Sequence, residues 1–269
     1  MATRTDSAGQ SSAARDAVAA LVAKARTAQK IFERSTQEQL DEAAIAAGWA
    51  IMSPARNRAL AELAVKDTGL GVVADKMVKN YRKTLGLLRD LQGAKSTGVI
   101  NEFPERGITE IARPAGVVAA VVPSTNPAAT PANNIINALK CGNAVIVAPS
   151  PKGYSTCVLL LKYVNAELKR AGAPDNLVQH LPGPVTKELT TELMRQSDLV
   201  VVTGSQNNVR AGYSSGKPAL GVGTGNVAVI VDDSADCADA AKKIMASKIF
   251  DNAASCSSAN AALLPAEAH

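Results

Sequence analysis

Gly116–Val122 reads GVVAAVV and is stopped by Pro123. Seven apolar residues without polar alternation suit a strand buried on both faces, as in a parallel sheet covered by helices on each side. A second run of this kind, Ala144–Val147 (AVIV), ends before Pro149 and Pro151, and a third, Leu199–Val202 (LVVV), ends at Thr203-Gly204-Ser205. Asn176–Leu181 is a weaker strand. Between these runs lie helical patterns at Asn134–Lys140, Thr156–Ala171 and Lys187–Gln196. Strands alternating with helices at this spacing predict an α/β fold with a parallel sheet wound with helices on both faces. Ligands of such sheets bind at the carboxyl ends of the strands. The segments Pro123–Pro127, Ala148–Lys152 and Thr203–Ser205 all fall there.

Upstream, residues 1–12 are small and polar and are expected to be unstructured. Ala13–Arg34 repeats Val18, Leu21, Val22, Ala25 and Ile31 at helical steps. Ser35-Thr36-Gln37-Glu38 reads as a capping box opening a second helix, with Leu40, Ala44, Ile45 and Trp49 as its buried stripe. A third helix spans about Val73–Leu91. Downstream, a glycine-rich stretch, Gly221–Asn226, precedes a strand at Val227–Val231. A helix at Cys237–Phe250, the Cys256-bearing segment Asp251–Ser258 and a strand at Asn260–Leu264 follow. The expected organisation is one domain over 13–225 and the opening of a second α/β domain over 226–269.

Composition narrows the function. Apolar residues make up 46% and aromatic residues 3%, which suits Ala-rich helices on Val/Ile strands better than a β-sandwich. The formal charge of +5 comes without a long basic run, so nucleic acid is not the expected partner. Cys141, Cys157, Cys237 and Cys256 form no CxxC pair, and His180 and His269 are the only histidines, so no metal site is expected. His180, Cys141, Cys157 and Cys237 read as packed core residues. Asp232, Asp233 and Asp236 read as caps for the helix that follows. No run reaches membrane-spanning length, and unpaired cysteines without an export signal point to the cytoplasm.

Each motif alone is weak. Pro123-Ser124-Thr125-Asn126-Pro127 is also a plausible turn. Gly204-Ser205 reads equally as a helix cap or as donors to a cofactor phosphate. Gly221–Asn226 (GVGTGN) has the glycines of a dinucleotide loop but precedes a strand, the wrong context. A lone Cys256 is more often a small buried apolar residue than a nucleophile.

Taken in order, the motifs resemble the aldehyde dehydrogenase family: Asn126-Pro127, Ala148–Lys152 (APSPK), Thr203-Gly204-Ser205, Gly221–Asn226, then Phe250–Cys256 (FDNAASC). Ala211–Asn226 and the FDN before the cysteine resemble its CoA-acylating branch. The resemblance covers about residues 13–269 and implies a Rossmann-type cofactor domain followed by the start of a catalytic domain. It implies Cys256 as nucleophile, with the Asn126 amide and the Cys256 backbone N–H as oxyanion donors. Pro123, Ser124, Thr125, Pro149, Ser150, Lys152, Gly204, Ser205 and Gly223 would border an NAD or NADP cofactor. The family continues well beyond the thirteen residues that follow Cys256 here, so the chain is expected to be the N-terminal part of a longer, homo-oligomeric enzyme.

Two departures from the hydrolytic members are informative. Their glutamate base falls at Val222, and an apolar side chain cannot deprotonate water, which favours release of the enzyme thioester to coenzyme A. Their Lys-Pro-x-Glu after the second strand is Ala148-Pro149-Ser150-Pro151 here. No acidic residue there would repel the 2′-phosphate of NADP, and Lys152 is placed to pair with it, so NADP is slightly favoured over NAD. The implied aldehyde is short: acetaldehyde, another aliphatic aldehyde, or an anionic one such as sulfoacetaldehyde or succinic semialdehyde, with sulfoacetaldehyde favoured on overall likeness. A hydrolytic enzyme and an inactive cofactor-binding fragment stay open as alternatives.

Overall fold

In the computed structural model, residues 3–264 are described, with side chains over 12–264; His269 lies outside the described residues. Four helices come first: α1 (Thr3–Phe32), α2 (Gln37–Met52), α3 (Pro54–Thr68) and α4 (Val73–Leu91). An antiparallel hairpin follows, β1 (Gly98–Phe103) and β2 (Ile108–Ala112). The central sequence runs β3 (Val117–Val121), α5 (Ala129–Lys140), β4 (Ala144–Ala148), α6 (Tyr154–Arg170) and β5 (Val178–His180). It continues through α7 (Lys187–Gln196), β6 (Leu199–Thr203), α8 (Gln206–Tyr213) and β7 (Ala219–Val222). The chain then adds β8 (Val227–Ile230), α9 (Cys237–Ile249) and β9 (Ala259–Leu263).

The five central strands form one parallel sheet in the order β5-β4-β3-β6-β7. Every residue of β3 and β4 is buried, as their unbroken apolar runs predict. Helices α5 and α6 cover one face, while α1 and α7 pack together against the other. Right-handed crossovers require this split, because the chain steps one way along the sheet from β3 to β5 and the other way from β6 to β7. Fully burying each Val, Ile or Leu side chain stabilises the fold by roughly 1.5–3 kcal/mol relative to leaving it exposed. Asp198 fastens α1 to this sheet: its carboxylate accepts two bonds from Arg26, at 3.0 and 3.1 Å, and one from the Val117 N–H at 2.8 Å.

Several expectations need correction. The stretch read as unstructured is helical from Thr3 onward, because adding a turn to an existing helix needs no new nucleus. The capping box sits one residue later, with Thr36 as N-cap and Gln39 as its reciprocal partner. Both registers satisfy the S/T-x-x-E/Q rule. In α2 the buried face is Leu40, Ala43, Ala44, Ala47, Gly48, Ala50 and Ile51, whereas Ile45 and Trp49 are 59% and 51% exposed. Small residues win that face because they let α2 lie close to α4 and α5; a Cβ on Gly48 would sit 2.6 Å from Leu88 Cδ1. Helix α3, the β1–β2 hairpin and strand β7 carry no apolar run that marks them in the sequence.

Cys157 is buried, and burial pushes its thiol up to about 12. Cys141 and Cys237 are exposed, not core. His180 is half-buried at the end of β5, with Nδ1 donating to Leu181 O at 2.8 Å and Tyr154 edge-on at 5.8 Å. Asp236 caps α9 as expected, and Asp232 closes the turn before it by accepting from Ser234. Among the described residues no helix is long and apolar enough to cross a membrane, and no metal-binding cluster of His, Cys, Asp and Glu occurs.

Candidate active site

From β3 the chain winds outward through β4 to β5, then returns to β6 and β7 on the opposite side. The winding therefore reverses between β3 and β6, and such a reversal opens a crevice at the carboxyl ends of the strands. A cleft of about 910 Å³ lies there. The loop after β3 contributes Pro123, Ser124, Thr125 and Asn126, and the loop after β4 contributes Pro149 and Ser150. Gly204 and Ser205 follow β6, Gly223 follows β7, and Cys256 comes from the turn before β9. Every site residue singled out in the sequence lines this one cleft except Lys152. Lys152 is exposed on the 3-10 turn Pro151–Gly153, outside the cleft lining.

Asn126 is 8% exposed. Its Oδ1 has no hydrogen-bond partner, and its Nδ2 reaches only Thr125 Oγ1, at 3.5 Å. A buried amide left this unsatisfied is costly unless something else engages it. Cys256 is exposed in its turn. The residues just before it are unusual: Asp251, Asn252 and Ala253 have φ of 52°, 51° and 58°. The left-handed conformation costs a residue with a Cβ about 1–2 kcal/mol, so three in succession persist only where surrounding contacts over-determine them.

Helix α4 supplies those contacts. Its buried positions are Lys76, Lys79, Asn80 and Thr84, while Val78, Tyr81 and Leu85 face outward. That is the reverse of an ordinary amphipathic helix. Asn80 turns inward to donate to Asn57 Oδ1 at 3.0 Å, and the two lysines turn inward toward Asp251, which is fully buried. Its Oδ2 pairs with Lys76 Nζ at 3.2 Å and with Lys79 Nζ, and its Oδ1 accepts from the Val72 N–H at 2.9 Å. Its own backbone N–H donates to Asp75 Oδ2 at 2.8 Å. Lys76 also donates to Thr125 O at 3.3 Å, so one ammonium joins the Cys256 segment to the loop carrying Asn126. Burial pushes the Asp251 carboxyl up, but the bonds from Lys79 and Val72 and the two positive charges outweigh it and hold it below the usual range. Burial also pushes the Lys79 ammonium down, against the pull of Asp251. Gly71, at φ +78°, packs against this carboxylate, and a Cβ there would overlap it.

The cleft's charge is one-sided. Among the described residues that line it, Lys83 and Lys187 are the only charged ones, and no Asp or Glu is present. Val222, 55% exposed at the end of β7, is part of the lining. Sequence reasoning missed the α4 lysines and the structural role of Asp251. Asp251 stands inside the quoted FDN motif, but its partner Lys76 is 175 residues away in the chain.

The aldehyde dehydrogenase family profile matches residues 2–269. The chain belongs to the aldehyde dehydrogenase family. It is similar to the acylating sulfoacetaldehyde dehydrogenase of Cupriavidus necator, at 66% identity over 248 residues, which are 92% of this chain and 50% of the relative. Among solved structures, an acetylating aldehyde dehydrogenase from Geobacillus thermoglucosidasius superposes with a TM-score of 0.89 at 35% identity, covering 95% of this chain and 56% of that one. A propionaldehyde dehydrogenase of Rhodopseudomonas palustris, with bound CoA and an acylated cysteine, superposes with a TM-score of 0.81 at 29% identity, covering 93% and 56%. The chain thus spans about half the length of the relatives it matches.

Proposed function

We propose that these residues form the cofactor-binding and thiol-bearing part of a CoA-acylating aldehyde dehydrogenase acting on a short aldehyde, sulfoacetaldehyde foremost. In this reading 13–225 is the cofactor domain and 226–269 opens the catalytic domain. The observation that carries it is a single cleft holding an exposed thiol and an unsatisfied amide, with no carboxylate in its lining among the described residues. The sulfoacetaldehyde choice is supported by the 66% identity to the Cupriavidus enzyme.

The Cys256 thiolate attacks the aldehyde carbon, and the carbonyl electron pair moves to oxygen. The Asn126 amide and the Cys256 backbone N–H donate to that oxyanion, an interaction strongest as its charge develops. A nicotinamide held in the cleft would supply the acceptor for the hydride leaving this carbon. Re-formation of the carbonyl leaves a thioester on Cys256. The thiol of CoA, having lost its proton to solvent, adds to the thioester carbon, and the Cys256 thiolate leaves. Aldehyde, CoA and NAD(P)+ become acyl-CoA, NAD(P)H and a proton. Water competes poorly, since Val222 cannot act as its base and no carboxylate lines the cleft among the described residues.

The cleft fits a dinucleotide. Gly204, Ser205 and Asn207 bring the amino end of α8 to its wall, where free N–H groups and the helix dipole favour a phosphate. Pro149 and Ser150 offer a flat, uncharged wall for the adenosine. With no carboxylate in the lining among the described residues and Lys187 on the rim, we assign NADP as usable alongside NAD.

Assay of the intact enzyme with sulfoacetaldehyde and NAD(P), with and without CoA, tests the reading. CoA-dependent formation of NAD(P)H and acyl-CoA is expected. Free acid formed at the same rate without CoA would overturn it. Asn126→Ala is expected to lower kcat about 10²–10³-fold, and Cys256→Ala to abolish turnover.

A further inference from the structure

Helix α4 carries three lysines at helical spacing, Lys76, Lys79 and Lys83. Two are consumed inside the protein: Lys76 and Lys79 are buried against Asp251. Lys83 lies one turn beyond Lys79 on the same helix face. It is half-buried, borders the cleft that holds Asn126, Thr130 and Cys256, and makes no ion pair with a carboxylate among the described residues. It is close enough to Lys79 for the two ammoniums to repel. Lys76 and Lys79 share the carboxylate of Asp251, and Lys83 is left without a carboxylate partner among the described residues. It stands at the cleft wall. The cleft's other cation, Lys187, belongs to the first turn of α7, beside Val185 and Thr186.

We infer that Lys83 is the specificity residue for the aldehyde, pairing with an anionic group such as a sulfonate on the carbon next to the carbonyl. This rests on the proposed acylating reaction and adds the reason for an anionic substrate. Half-buried and without a carboxylate partner among the described residues, the Lys83 ammonium is open to an anion entering the cleft. Facing a substrate anion within a low-dielectric cleft, it selects charged over neutral aldehydes of equal length. Propionaldehyde, close in chain length but without the charge, gains nothing from Lys83.

The test uses two readouts on the intact enzyme and the variants Lys83→Met and Lys83→Arg. In the first, kcat/KM is compared for sulfoacetaldehyde and propionaldehyde. Lys83→Met is expected to lower the sulfoacetaldehyde value ~10- to 100-fold with the propionaldehyde value held within about twofold, and Lys83→Arg to recover most of the loss. In the second, Cys256 is alkylated with 2-bromoethanesulfonate or with neutral iodoacetamide, each displacing halide to leave a thioether, and labelling is read at the Cys256 peptide. The ratio of the two rates is expected to fall by a similar factor in Lys83→Met. Equal losses on both aldehydes, or an unchanged alkylation ratio, would overturn the role of Lys83. A changed alkylation ratio without CoA-dependent turnover in the unaltered enzyme would uphold the anion site while sinking the acylating reading.

Discussion

The two walls of the cleft follow opposite rules. On the side proposed to hold the cofactor, β3, β4 and β6 are apolar strands packed under helices, and the lining residues hang from their ends on turns rich in Pro, Gly and Ser. Position there comes from burial of nonpolar surface, spread over many side chains. On the thiol side, the Cys256 segment is held by one buried carboxylate, two buried ammoniums and a left-handed stretch of backbone. Buried charges contribute little net stability when paired and cost heavily when one partner is lost. Damage to the first wall is therefore graded and shared, whereas damage to the second is concentrated in Asp251.

Asp251→Asn should make the largest difference between the walls. It leaves Lys76 and Lys79 buried without a counter-charge, a loss of roughly 3–5 kcal/mol. Urea unfolding of the intact enzyme should show it, together with a changed rate of Cys256 alkylation, since the lysine that grips Thr125 loses its other partner. The pH response has a fixed sign. With the native Asp251 pKa held low, its stabilisation is full above the unfolded carboxylate value of about 3.9 and disappears as pH falls through the native value. Asp251→Asn should remove that acid-side loss. An acid unfolding profile unchanged by the substitution would show that the cluster does not hold this wall.

Ile146→Ala strikes the opposite wall. Ile146 is fully buried in β4, and its truncation is expected to cost roughly 2–5 kcal/mol. Under native conditions the rate of Cys256 alkylation should not move, because the lost packing is shared by the sheet. A shift in that rate as large as the one from Asp251→Asn would erase the distinction between the walls.

The contrast also explains what could be read from the sequence. β3, β4 and β6 were legible because short unbroken apolar runs bounded by Pro and Gly suit strands buried on both faces, and α7 because Leu189, Leu193 and Met194 recur at helical steps. The loops at their ends followed from the sheet, so this side of the cleft came with the fold. Helix α4 was legible as a helix but not as a site, since three lysines on one face read as solvated surface until a carboxylate from elsewhere buries two of them. Ile45 and Trp49 misled in the other direction: large apolar residues mark a buried face only where there is room, and the close approach of α4 and α5 reserves that face for alanine and glycine. The shift of the capping box from Ser35 to Thr36 is a degeneracy of the motif itself. Lys152 was chosen by its nearness to the β4 loop along the chain, whereas the 3-10 turn leaves it outside the cleft.

Gly71→Ala is a milder attack on the thiol wall. The left-handed φ of +78° costs an alanine about 1–2 kcal/mol, and its Cβ presses on the Asp251 carboxylate. We expect that loss or somewhat more in thermal unfolding, with Cys256 alkylation shifted in the same direction as in Asp251→Asn. Gly69→Ala, also left-handed at φ +66° but with nothing within 4 Å of its Cβ, is the control. It should cost the conformational part alone and leave Cys256 unchanged.

The smallest expected effect returns to the cofactor wall and decides between two lysines. Lys187 borders the cleft and is exposed, so its attraction for a 2′-phosphate is screened, worth about 0.2–1 kcal/mol like other exposed ion pairs. Lys187→Ala should therefore raise the KM for NADP by a factor of about 1.4 to 5, leave that for NAD unchanged, and matter less as salt is added. Lys152→Ala should change neither, because its side chain is outside the lining. If Lys152→Ala weakens NADP while Lys187→Ala does not, the β4 loop moves when the cofactor binds, and this wall is less rigid than its apolar strands imply.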